Sequence, residues 1–403
     1  MSIETHETII IGAGQSGLAV SWHLNRLGRD HILLERARIA ERWRSERWDS
    51  LSFQFPNWTL QLPGFVYDGP DPEGFAGRDQ VVDFIDAYAR TSRAPVRCGI
   101  EVMRLSGREG GFELETADGV MRANNVVLAT GPYQRPIVPE AFSLGLAEVP
   151  QLHARDYRNP AQLPPGAVLV VGSGASGAQI AEDLLSAGRQ VYLSVGSHRR
   201  APRRYRGRDF IFWEFALGAF DQTVAERRPG SLPPLLTGRR DMDLSALAAR
   251  GLTLTGRLAH AEGGHVTFAP DRDESLARAQ DHYLSFIAAC DAHVLAAGLD
   301  LPPPEAPVPL GPLPPQIDHL DLRAAGVGSV IWATGYGYDF GWVDLPMFRN
   351  NETRIEPRQT RGVSPVEGLY LIGLPWLSKR KSSLMMGMGE DAAHIAEHLA
   401  QTR

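Results

Sequence analysis

Gly12, Gly14 and Gly17 stand at the GxGxxG spacing, and Glu35 closes the next apolar run. The same spacing returns at Gly172, Gly174 and Gly177, and each triplet is succeeded in matching register by one more glycine, Gly28 or Gly188. Glycines so placed bind a dinucleotide: one allows the tight turn, one lets the backbone approach a pyrophosphate, and one lets helix and strand pack closely. The helix opening at such a turn offers unpaired N–H groups and a partial positive charge to the phosphates. Glu35 is placed to accept hydrogen bonds from ribose hydroxyls. In the second copy Val195 holds the position of Glu35, and "GSHRRAPRRYRGRD" comes next with Arg199, Arg200, Arg203, Arg204, Arg206 and Arg208. A carboxylate there would repel a ribose 2′-phosphate, whereas guanidinium forks grip one. Arg199, Arg200 and Arg203, helped by Ser194, are the expected contacts, which favours NADPH over NADH in the second unit. A solvated basic loop or a patch touching nucleic acid are the plainer alternatives for the same arginines.

Each triplet needs a strand before it and a helix and strand after it. "TIIIGAGQSGLAVSWHLNRLGRDHILLE" and "VLVVGSGASGAQIAEDLLSAGRQVYLSV" supply these parts in order, two βαβ units in one chain. Two apolar strands stop at Ala-Thr-Gly: "VVLATG" ends at Gly131 and "VIWATG" at Gly335. Such an ending lets the chain leave a sheet beneath a dinucleotide and cross to a neighbouring domain. The expected fold is α/β with two Rossmann-like dinucleotide-binding domains, the second inserted into the first: residues 1–150, then 151–334 with a less regular insert at about 205–328, then a return segment 335–403. In that return segment, a strand Leu369–Ile372 leads through a loop to a helix beginning near Ser383, where Gly387 and Gly389 let the backbone approach a flat ligand. "DFIFWEFALGAF" reads first as a core helix, and the proline-rich stretch from Leu299 to Leu320 as an extended connection.

The bulk numbers fit a soluble enzyme of 403 residues, enough for two domains. A net charge of -6 and a pI near 6.1 give no global attraction for nucleic acid or an anionic membrane. Only Cys98 and Cys290 occur, without a CxxC, which argues against a disulfide scaffold or a redox dithiol. The opening "MSIETHETIIIGAG" has no basic n-region, and no apolar run reaches spanning length, so a cytoplasmic protein is expected. A homodimer is left open.

The paired fingerprints, the two Ala-Thr-Gly strand ends, the tryptophan-rich "RWRSERWDSLSFQFPNWTLQLPG" and the C-terminal "GLYLIGLPWLSKRKSSLMMGMGEDAAHIAEHL" together resemble the flavin-containing monooxygenases, in particular the small bacterial group near the plant indole-3-pyruvate monooxygenases. The resemblance implies FAD in the first unit, NADPH in the second, and a site between them where O2 and a small-molecule substrate meet. On it the flavin site takes in the first glycine triplet with Gln15, Ser16, Glu35 and Arg36, at most two tryptophans, Trp43 and Trp48, and Val102, Ala129, Gly131, Leu384 and Gly387. The NADPH site adds Ser176, Thr334 and Gly335 to the second triplet and its arginines. Gln54 aligns with the family's active-site asparagine and Asn57 is a second amide nearby. Either could donate to a flavin peroxide or to the N5 region, so these two are the catalytic candidates.

The linker signature of the family is partial: "VPQLHARDYR" keeps His153 and Tyr157 but has Val149 at the glycine position. Baeyer–Villiger members place tryptophan where Tyr157 stands, which tilts the expectation towards oxygenation at nitrogen, sulfur or an oxo acid through a flavin C4a-(hydro)peroxide. No metal is required, and no GxSxG or HExxH occurs. Two alternatives stand beside this one. One is an NADPH oxidase or electron-transfer flavin reductase without productive oxygen transfer, suggested by Val149 and Gln54. The other is a non-enzymatic dinucleotide sensor.

Overall fold

The computed structural model describes residues 3–228, 233–238, 240–348 and 357–401. Its fold is α/β. The strand Glu4–Ile11 buries its last four residues, because it is paired on both edges and covered on both faces, as a continuous apolar run requires. It lies parallel to His31–Glu35, with Ile9 opposite Ile32, and parallel to Gly119–Leu128, with Ile9 opposite Val126. The helix Gln15–Arg26 makes the crossover between the first two. The eight-stranded sheet continues through Val96–Cys98 on one side and the antiparallel ribbon Val102–Arg108, Gly111–Thr116 on the other.

A second sheet repeats the plan with five parallel strands in the order Gln151–His153, Val327–Trp332, Ala167–Val171, Val191–Ser194, Thr253–Thr255. Here the helix Ala175–Ser186 makes the corresponding crossover. The chain then goes home: Val343–Asp344 and Leu369–Leu371 pair with Val102–Arg108 and Gly119–Leu128 of the first sheet.

In the chain between Thr253–Thr255 and Val327–Trp332 lie a three-stranded antiparallel sheet, Leu258–Glu262, His265–Phe268 and His319–Asp321, and the long helix Arg272–Ala297. That helix stops at Gly298, whose φ of 61° is left-handed. Residues 299–318 carry neither helix nor strand, as their prolines dictate. The helix Phe210–Ala216 is core as expected: Trp213 is fully buried and its Nε1 donates to the Tyr205 carbonyl at 2.9 Å.

Candidate active site

The two glycine turns have nearly the same geometry. Gly12 and Gly172 adopt φ of 109° and 105°, and a Cβ on them would stand 2.7 and 2.6 Å from the carbonyl oxygens of Ala129 and Ala333. A Cβ on Gly17 or Gly177 would fall 2.1 or 1.9 Å from the oxygen of Gly12 or Gly172. Gly14 and Gly174 differ from these: among the described residues, nothing lies within 4 Å of where their side chain would begin. Each starts its helix with extended backbone and no side-chain cap. Free amide groups and open space meet where a pyrophosphate would lie, so both turns fit the ligand their spacing implies.

A cavity of about 590 Å³ opens at the first turn, a volume typical of small-molecule and cofactor sites. Its walls bring together Gly12, Gly14, Gln15, Ser16, Glu35 and Arg36 with Trp43, Val102, Ala129, Gly131 and Leu384. The Glu35 carboxylate is oriented by the amides of Ala13 and Ala37, both at 3.0 Å. Trp43 donates from Nε1 to Gln15 Oε1 at 3.2 Å, which fixes its indole on the wall. Sequence reasoning passed over Arg42, Arg47, Tyr133, Asp339, Trp342 and Gly373, which line the same cavity. Gly373 had a legible signal: it succeeds an apolar strand and turns with φ of 78°, as Gly131 and Gly335 do at 71° and 88°.

Several expected contacts lie elsewhere. Trp48 is buried in the apolar cluster of the second sheet, with Leu51, Val168 and Val170. The segment carrying it is tied across: Asp49 N donates to Arg158 O at 2.8 Å, Asn159 Nδ2 to Asp49 Oδ2 at 2.7 Å and Ser50 Oγ to Asp183 Oδ1 at 2.6 Å. Gly387 is not on the wall either; a Cβ there would meet the Lys381 carbonyl at 2.3 Å. Ser382 Oγ accepts from the amides of Ser378 and Lys379, and successive turns Lys381–Leu384 and Leu384–Gly387 carry the chain on, so the last helix starts at Met388 rather than near Ser383.

The catalytic candidates are also displaced. The backbone carbonyl of Gln54 accepts from Arg203 Nη1 at 2.8 Å, and buried Asn57 donates from its side-chain Nδ2 to Asp71 O at 2.9 Å. Neither residue is among the described residues of the cavity wall.

The arginine loop is corrected most. Arg203 is buried against Asp209, with Nε to Oδ2 at 2.9 Å and Nη2 to Oδ1 at 2.5 Å. Arg200 is buried under the Tyr283 ring, pairs through Nη2 with Asp243 at 2.7 Å, and donates to Gln280 and Val308. Burial lowers the pKa of half-buried Arg199, whose charge faces Glu214 and Arg380. Ser194 Oγ donates to Gly256 O at 3.1 Å and accepts from Leu258 N at 3.0 Å, leaving it committed to the sheet end. A sequence shows guanidinium groups but not their pairing: Arg203 is consumed by Asp209 within the same stretch, and Arg200 by Asp243 well beyond it.

Of the linker residues, His153 is buried, accepts from Arg155 N at Nδ1 (3.1 Å) and contacts Gly335 O through Nε2 (3.1 Å). Its ring meets Tyr336 edge-on, and Tyr336 in turn meets Tyr133 of the cavity wall. Burial holds its pKa below the ordinary histidine value. Tyr157 is fully buried and donates to Asp183 Oδ2 at 2.6 Å, so Asp183 joins the linker to Ser50. Thr334 Oγ1 donates to Ile137 O at 2.5 Å.

Residues 9–208 match the family described as pyridine nucleotide-disulphide oxidoreductase. The chain is 33% identical to an uncharacterised CzcO-like oxidoreductase of Geobacillus kaustophilus, over 96% of its own length and 97% of the relative's. It is 30% identical to a probable indole-3-pyruvate monooxygenase of Arabidopsis thaliana, over 44% of this chain and 43% of that one. Among solved structures, a flavin-containing monooxygenase from Stenotrophomonas maltophilia superposes with a TM-score of 0.68 at 20% identity, covering 98% of both chains.

Proposed function

Because this chain belongs to the flavin-containing monooxygenase family and is a flavin oxidoreductase, we propose that it is an NADPH-dependent monooxygenase that binds FAD and oxygenates a small organic molecule at nitrogen, at sulfur or on an oxo acid. The sensor alternative is set aside by that membership. The observation that carries the proposal is the cavity wall itself. It holds the uncapped helix start at Gly14, the oriented Glu35 carboxylate, the strand end at Gly131 and Leu384 of the return segment. An elongated ligand with a ribose, a pyrophosphate and a flat ring system uses all four.

In this proposal residues 1–150 and 335–403 form one dinucleotide domain and 151–334 the other, in keeping with the strands each contributes. FAD, when bound, supplies hydride acceptance from the nicotinamide and electron transfer to dioxygen. The protein's part is to bind and shield. The amides opening the Gly14 helix would hold the pyrophosphate, Glu35 would accept from the ribose hydroxyls, and Trp43 and Trp342 on the cavity wall would keep water out. His153 ties the linker to Gly335, at the strand end that faces the second nucleotide.

A second reading, electron transfer without oxygen insertion, is favoured by one observation: the Asn57 amide donates to Asp71 O, and Gln54, anchored at its backbone carbonyl by Arg203, lies off the described cavity wall. One experiment separates the two. Purified protein should be yellow and retain FAD, and amines, sulfides or oxo acids should raise NADPH consumption with one atom of labelled dioxygen entering product. Hydrogen peroxide equal to the NADPH consumed, whatever the substrate, establishes the second reading. Protein that takes up no FAD removes both.

A further inference from the structure

With Arg200 and Arg203 paired to Asp243 and Asp209, half-buried Arg199 set against Glu214 and Arg380, and Ser194 committed to the sheet end, recognition of a 2′-phosphate at the second turn falls to another group. The geometry points to Arg257 as the residue that selects a 2′-phosphorylated adenosine there, an inference that rests on the second glycine turn binding a pyridine nucleotide.

The strands Ala167–Val171, Val191–Ser194 and Thr253–Thr255 are parallel, and Val171, Ser194 and Thr255 stand in register. Their outgoing segments therefore leave the same sheet edge: the turn at Gly172, then Val195–Gly196, then Gly256–Arg257. In the first unit the corresponding second strand ends on the Glu35 carboxylate, which fills the ribose corner. In the second unit Val195 is fully buried, and Gly196 has no side chain to fill that corner. Among the described residues, the only atom within 4 Å of where a Gly196 Cβ would stand is Arg257 Cγ, at 4.0 Å.

Arg257 is also built to stay there. A Cβ on Gly256 would lie 1.7 Å from Ala269 O, so the chain passes close against its neighbour only because residue 256 is glycine. Ala269 N donates to Arg257 O at 2.8 Å, and Asp271 accepts both the Arg257 amide, at 2.9 Å, and its Nε, at 2.5 Å. Those contacts occupy the inner edge of the guanidinium. The side chain remains 64% exposed, so solvent and a ligand can reach a guanidinium whose two terminal nitrogens form the fork that a phosphate takes. Asp271 fixes the orientation beforehand, so little side-chain freedom is lost on binding.

The test measures binding directly, with 2′,5′-ADP and 5′-AMP titrated into FAD-loaded protein, alongside KM for NADPH and NADH. The wild type should prefer 2′,5′-ADP. Arg257→Ala should weaken 2′,5′-ADP by about 10- to 100-fold, the range for hydrogen bonds to a charged group, and leave 5′-AMP unchanged. Arg257→Lys should retain part of the preference. Arg204→Ala, exposed and facing Glu73, should change neither ligand. A preference that survives Arg257→Ala, or a wild type that binds both nucleotides equally, overturns the assignment while leaving the flavin reading intact. Binding of neither nucleotide by FAD-loaded wild type overturns the nucleotide site beneath it as well.

Discussion

Arg203 shows how much of a residue's role is decided by what folds against it. Its side chain and that of Asp209 are each almost wholly buried, and the pair is bidentate. Two charges taken out of water are tolerated only while both remain, and removing one partner typically costs about 3–5 kcal/mol. Arg203→Ala should therefore lower stability to urea by that amount, while KM for NADPH in the surviving folded protein stays within about threefold of wild type, since additivity between distant sites is the norm. A large rise in KM at unchanged stability would return Arg203 to the phosphate. The Asp209 carboxylate also accepts from Ile211 N at 2.8 Å, so a double replacement of the pair by apolar residues should recover only part of the loss.

At the scale of elements the glycine turns were the most legible feature, because their spacing encodes backbone geometry directly. The three positions differ in what a methyl group would meet, and this separates binding from folding. Gly14 has an ordinary φ of -79° and open space around it, so Gly14→Ala should fail to retain FAD yet melt at the Tm of FAD-free wild type, since only the stabilisation by bound ligand is lost. Gly17→Ala would push a Cβ to 2.1 Å from Gly12 O and should cost about 1–3 kcal/mol, as overpacking does. Measuring Tm and the visible flavin spectrum for both variants checks this; FAD retained at full occupancy by Gly14→Ala would refute the placement. The same directness found the second turn, the two strand ends and the return strand at Leu369. It failed where position depends on long-range packing: Trp48 comes five residues after Trp43 in sequence yet packs on the other sheet. The final helix likewise begins at Met388 because Ser382 and Lys381 organise turns that helical periodicity does not report.

On the scale of the whole molecule, the ties between the two sheets are polar as well as apolar. Asp183, on the helix of the second unit, receives Tyr157 from the linker and Ser50 from the first unit, while His153 ties its own strand end to Gly335, where the chain leaves the second sheet. Buried neutral histidines recur through the chain, and burial holds the pKa of His23, His31, His153 and His198 below the ordinary value. Such a group binds its proton less readily folded than unfolded. Its contribution to stability is complete above the unfolded pKa, about 6.5, and is lost as the pH falls from there towards the lowered folded value. His153 should be the most sensitive of them, because Nδ1 accepts from a backbone amide that cannot turn round to become an acceptor. His31 is more forgiving: its Nε2 faces the Ser21 hydroxyl, which can rotate. Glu214 and Asp391, pushed up by burial, act in the opposite sense, so the informative quantity is a difference between proteins. Wild-type Tm should fall between pH 7.5 and pH 5.5, and His153→Gln, which has no proton to gain in that range, should show a shallower fall. Parallel profiles for the two proteins would mean that the linker histidine does not carry this pH dependence.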